Sequence, residues 1–135
     1  MVKNIGVFKD FNDDSIKSVF KTENNEIIEM TLLQNKEYED IICVPTHHFC
    51  NLGCKMCHNK LNKNMVGITI ENFLESLMYS LRVQETNTKR TNKKRLLISF
   101  MGVGEPLLNI NLIKKVYKYE SLIKENLGYE SVAYA

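Results

Sequence analysis

The sequence predicts an α/β fold: a small β-hairpin, then a parallel sheet whose strands are joined by helices. Three observations lead there. Short apolar runs rich in β-branched residues alternate with longer stretches whose apolar residues recur at helical spacing. The polar insert Glu23-Asn-Asn-Glu26 separates two of the short runs early in the chain. The length, 135 residues, is that of one domain, enough to bury about two-thirds of the unfolded surface.

Within residues 1–40, Ser18-Val-Phe-Lys-Thr22 and Ile27-Ile-Glu-Met-Thr-Leu-Leu33 flank that insert and predict the hairpin. Residues 35–40 are a polar connector. Residues 41–45 read as a buried strand, ended by Pro45 because proline cannot donate to a ladder. Residues 60–67 form a polar loop. Thr69 then suits a helix N-cap, with Glu71 in the first turn, where the helix dipole favours a carboxylate. Ile70, Phe73, Leu74, Leu77, Met78 and Leu81 follow as one core-facing stripe. Residues 85–95 are polar and carry Lys89, Arg90, Lys93, Lys94 and Arg95, which reads as a solvated connector or a phosphate-contacting loop. Leu96-Leu-Ile-Ser-Phe-Met101 is a second buried strand. A second helix is expected over residues 111–126, with Leu112, Val116, Tyr119, Ile123 and Leu127 as its stripe and Gly128 as its C-terminal cap. Ser131-Val-Ala-Tyr-Ala135 opens a third strand. Residues 41–135 thus hold about three strands and two helices.

Composition narrows the class. Hydrophobic content of 44% and charged content of 25% are ordinary for globular domains, and a net charge of +2 permits an anionic partner without requiring one. No apolar run has the length of a signal peptide or a membrane span. The cysteines are clustered and no secretory signal accompanies them, which favours a reducing compartment, so a cytoplasmic protein is expected.

All four cysteines, Cys43, Cys50, Cys54 and Cys57, lie in one stretch, and the last three are spaced C-x₃-C-x₂-C. A short loop with this spacing can place three thiolates on three corners of a cubane iron–sulfur cluster. Clusters that only carry electrons usually take four cysteines, so three close ligands leave one iron open to a substrate. Other readings stand beside this one. A zinc site could use Cys50, Cys54 and Cys57 with His58 or His47. A closed electron-transfer cluster could recruit Cys43, or the four could be reduced core thiols.

Gly102-Val-Gly-Glu-Pro106 directly follows the second buried strand. Its glycines let backbone approach a ligand closely, and Glu105 places a carboxylate beside it. Alone the string reads as a tight turn. One strand–helix unit after the cysteine loop, it makes a second ligand loop at a strand's carboxyl end, where parallel α/β folds place their sites.

Together these motifs resemble the radical S-adenosylmethionine (SAM) enzymes. The string Phe100-Met-Gly-Val-Gly-Glu-Pro-Leu-Leu-Asn109 more closely resembles the radical SAM RNA adenine methyltransferases, which act on ribosomal and transfer RNA. Cys43-Val-Pro-Thr lies seven residues before Cys50, as a Cys-Val-Ser-Ser-like run does in that family. Ile28-Glu-Met-Thr-Leu32 is similar to its Val-Glu-Thr-Val segment. The likeness covers roughly residues 18–135, less than half of a typical member.

The resemblance implies a partial (β/α) barrel after the hairpin. It implies a [4Fe–4S] cluster on Cys50, Cys54 and Cys57, and SAM held at its amino acid end by Gly104 and Glu105. Cys43 matches a cysteine that resolves a covalent protein–RNA intermediate, and Glu29 matches a glutamate assigned as proton acceptor. The partners implied are RNA, a flavodoxin- or ferredoxin-type electron donor and, for a barrel with open edges, a second chain that completes it. Carbon-2 of adenine is electron-poor, so ordinary methyl transfer fails there and a radical route is required.

There are departures. No cysteine follows Cys57, so the family's methyl-carrying cysteine is not in this chain. Met56 stands where the family has an aromatic. Thr46-His-His48 replaces a Ser-Gln-Val-like run, and both histidines read as solvent-facing or structural more readily than as contacts to RNA or cluster. A radical SAM enzyme acting on a peptide or small molecule, and an inactive metal- or RNA-binding remnant, are the alternative functions.

Overall fold

The computed structural model describes residues 1–10, 12, 15–33, 40–48, 67–87, 95–102, 104 and 106–135. They form one six-stranded sheet in sequence order: β1 (Val2–Lys9), β2 (Ile16–Thr22), β3 (Ile27–Leu33), β4 (Asp40–Cys43), β5 (Arg95–Ser99) and β6 (Ser131–Tyr134). Strands β1 to β4 pair antiparallel, and β4, β5 and β6 pair parallel.

The expected hairpin is β2–β3. Asn25 sits in its turn at φ 61°, a conformation asparagine tolerates. Thr22 closes the turn, its amide donating to Glu26 O (2.9 Å) and its hydroxyl accepting from the Glu26 amide (3.1 Å). Strand β1 was not foreseen. It is an edge strand with a register shift between Asn4 and Gly6, and most of its residues are exposed, so its sequence lacks a clean alternation.

Helix α1 (Ile70–Asn87) begins where predicted, with the Asn72 amide 3.3 Å from Thr69 Oγ1. It runs into the stretch expected to be a connector. Its Phe73, Leu77 and Leu81 are fully buried against Ile28, Met30 and Ile42 of the sheet, while Leu74 and Met78 pack at the margin. The second predicted helix is two. After a 3₁₀ turn at Pro106–Asn109, α2 (Ile110–Lys118) and α3 (Glu120–Leu127) meet at Tyr119. Leu112, Val116, Ile123 and Leu127 are buried as expected, but Tyr119 marks the break and is exposed. Gly128, at φ 75°, caps α3, its amide donating to Lys124 O (2.8 Å).

The pleat divides the sheet. Ile28, Met30, Leu32, Ile42, Leu96 and Ile98 point to the helices and are buried. Asp40 shares that face, accepting a hydrogen bond from the Tyr129 hydroxyl. Glu29, Thr31, Ile41, Cys43, Leu97 and Ser99 alternate with them and lie on the opposite face. No described helix is long and apolar enough to cross a membrane.

Candidate functional site

Of the candidate residues, Cys43 and Gly104 lie at the carboxyl ends of β4 and β5. The two strands pair Cys43 with Ser99. The ladder then runs past them: the Val44 amide donates to Ser99 O (2.8 Å) and the Gly102 amide to Val44 O (3.1 Å). A Cβ at Gly102 would lie 2.8 Å from Val44 O and 2.9 Å from Pro45 N, and backbone atoms cannot step aside. The glycine is therefore required for the chain after β5 to lie against the chain after β4.

Beyond Pro45 comes the neck of the cysteine loop. Thr46, His47 and His48 are all buried. His47 pairs with Gly67 in an isolated antiparallel bridge, and the Ile68 amide donates to Thr46 O (3.0 Å). The segments on either side of residues 49–66 are thus bonded to each other. Cys50, Cys54 and Cys57 fall in that interval, outside the described residues, as does Glu105. Among the described residues no three His, Cys, Asp or Glu side chains group as a metal set.

Neither loop histidine faces solvent. His47 Nδ1 lies 2.8 Å from Thr46 Oγ1. His48 reaches back to the hairpin, with Nε2 2.7 Å from Glu26 Oε2 and Nδ1 3.2 Å from Ile27 O. The expectation of solvent-facing or structural histidines resolves to the structural alternative, because each buried ring finds a polar partner.

Gly104 lies over this neck. Its φ of +106° is one that side chains rarely adopt, and a Cβ would fall 2.3 Å from His47 Nδ1 and 2.7 Å from Thr46 Oγ1. Asn109, from the end of the 3₁₀ turn, crosses to the same place and donates from Nδ2 to Thr46 O (2.8 Å). Asn109 has no role legible in the sequence, because its partner is a backbone carbonyl that no sequence pattern marks.

Cys43 and Glu29 share the open face. Thr31, opposite Cys43 across β3–β4, is two residues from Glu29, so both point the same way and Glu29 lies toward the loop end of the sheet. They are not brought into direct contact. Glu29 is exposed, pairs with Lys17 at 3.6 Å, and lines a surface groove of about 710 Å³ with Phe8, Val19 and Thr31. Cys43 is half-buried, and burial pushes its thiol above the usual range.

The backbone at Gly102 and Gly104 thus meets the segment after β4 at the carboxyl ends of adjacent parallel strands, where α/β proteins bind ligands. No protein-family model matches the chain. It is 35% identical over 100 residues to "Probable dual-specificity RNA methyltransferase RlmN" of Oceanobacillus iheyensis, which covers 73% of this chain and 27% of that protein. It is 30% identical over 120 residues to the protein of the same name from Malacoplasma penetrans, covering 88% of this chain and 32% of that one. A radical SAM methyltransferase from Sphaerobacter thermophilus superposes with a TM-score of 0.72 at 21% identity, over 87% of this chain and 33% of its own. The chain spans about a third of the length of these relatives. It is homologous to part of the RlmN-type RNA methyltransferases, and its fold is that of part of a radical SAM methyltransferase.

Proposed function

We propose that this chain is the cluster- and cofactor-binding part of a radical SAM enzyme that methylates an adenine in ribosomal or transfer RNA. Cys50, Cys54 and Cys57 would hold a [4Fe–4S] cluster, and Gly104 with Glu105 would receive the amino acid end of SAM. The donor set fits: three thiolates and no fourth within their loop, on a loop whose ends are anchored beside the glycine-rich strand end. When bound, such a cluster supplies the electron that cleaves SAM.

The chain's own residues do the rest. Thr46 and His47, just beyond the end of β4, lead into the cysteine stretch. The positive φ of Gly104 brings its backbone against that neck without an intervening side chain. Cys43, kept as a thiol by burial, would act as the resolving nucleophile once a base takes its proton. Glu29, which pairs with Lys17 at 3.6 Å, would accept the proton of the adenine ring. RNA and a small electron-transfer protein are the partners this reaction needs, and the remaining strands of the barrel would supply the substrate pocket. A cytoplasmic setting follows from the RNA substrate and the reduced thiols.

The observation that carries the reading is the close approach of Gly104 to Thr46 and His47, the residues that lead into the cysteine stretch. Anaerobic loading with iron and sulfide should give a brown protein whose reduced electron paramagnetic resonance (EPR) signal changes when SAM is added. Cys54→Ala should remove that signal. A colourless protein that holds one zinc ion tightly overturns the reading.

A further inference from the structure

We infer that Asn109 is a positioning residue that holds the cysteine loop and the glycine-rich loop in register. The inference rests on the cluster-and-SAM reading above, and adds a residue to which that reading gives no role.

Asn109 precedes the first residue of α2, a place where asparagine normally caps the helix by accepting from its first free amides. Here it makes no such bond, at φ −139° and ψ 50°. Its side chain turns instead to Thr46 O, 63 residues away in sequence, at 2.8 Å. That carbonyl also accepts from the Ile68 amide at 3.0 Å, so its two lone pairs join the outgoing arm of the cysteine loop, the returning arm and the start of α2. The returning arm is fitted to this arrangement. A Cβ at Gly67 would lie 3.0 Å from Asn109 Nδ2. Gly104, on the loop that Asn109 terminates, rests on Thr46 and His47. One carboxamide therefore ties together three segments that carry, or border, both candidate ligand loops.

The diverted cap makes the idea separable from folding. Asn109→Asp and Asn109→Ser both keep a good N-cap residue; the first has no donor for Thr46 O, and the hydroxyl of the second is one bond too short to replace Nδ2 there. Each should leave the unfolding midpoint unchanged or higher. In the metal-free chain, hydrogen exchange at the Ile68 amide should quicken about five- to tenfold, the ratio expected for one lost hydrogen bond. After loading, iron content should match the parent chain, while the SAM concentration giving half the EPR change should rise about tenfold. Gly67→Ala, which presses on the same carboxamide from the other side, should act likewise.

Ile68 exchange at the parent rate in all three variants overturns the tie. Faster exchange with an unaltered SAM response overturns the positioning role. Should the parent chain take up no cluster, the functional reading fails, and Ile68 exchange alone then decides whether Asn109 joins the loops.

Discussion

His48 Nε2 lies 2.7 Å from Glu26 Oε2, with the His48 side chain only 3% exposed. This contact joins the β2–β3 turn to the mouth of the cysteine loop, two segments that local sequence does not connect. Removing the carboxylate leaves a buried ring nitrogen without its partner, at a cost of about 1–3 kcal/mol. Glu26→Ala should therefore lower the denaturant midpoint by that amount with an unchanged slope. Glu23→Ala, which removes an exposed contact to the N-terminal amine, should shift it by less than about 1 kcal/mol. Equal effects would mean that the His48 contact contributes no more than a surface pair.

Gly104 and Gly128 offer a second comparison. Both have positive φ, +106° and +75°, but a Cβ at Gly128 meets nothing within 4 Å, whereas at Gly104 it meets His47 and Thr46. Gly128→Ala should cost about 1–2 kcal/mol, the backbone term alone. Gly104→Ala should cost more, since the neck must also move. Thermal or urea unfolding of the two variants checks this, and a smaller loss at Gly104 would show that the contact is soft.

How far the sequence reached can be traced through particular residues. The hairpin was legible because Asn24 and Asn25 sit between two β-rich runs, and α1 because Thr69 and its apolar stripe agree. Tyr119 was not: the spacing of Leu112, Val116, Ile123 and Leu127 is the same for one helix as for two that share a buried face. Strand β1 was hidden because an exposed edge strand needs little alternation. The cysteine spacing and the glycine-rich string could be singled out because a motif is local in sequence. The packing of Gly104 on His47, the bond from Asn109 to Thr46 O and that from His48 to Glu26 depend on chain segments that meet only after folding.

Cys43 should react differently from a free cysteine. Burial alone raises its pKa above the ordinary 9.0, and its neighbours across the sheet, Thr31 and Ser99, are uncharged. The nucleophile is the thiolate, so alkylation in the native metal-free chain should lag behind that of the unfolded chain at every pH below about 9. Mass-resolved iodoacetamide labelling measures this. Native Cys43 labelling as fast as the unfolded control would show the thiol to be neither shielded nor shifted.

The alkaline limit of stability should carry a contribution from Tyr134. Burial, then the hydrogen bond its hydroxyl donates to Glu120 Oε1 (3.0 Å), then the Glu120 charge hold its pKa above the ordinary 10.0. The sign follows from linkage. Below the unfolded value both states keep the proton, and the folded state's preference for the phenol is fully present. Above it the unfolded chain ionises first and binds fewer protons, so stability falls as pH rises toward the folded value. Tyr134→Phe removes the ionisable group but keeps the ring, which lies 4.2 Å from that of Tyr117. The variant should lose a little stability at neutral pH, where the bond to Glu120 is gone. From pH 10 upward its stability should fall less steeply than that of the parent. Urea midpoints measured from pH 8 to 11 test this, and parallel curves for the two proteins would remove Tyr134 from the alkaline transition.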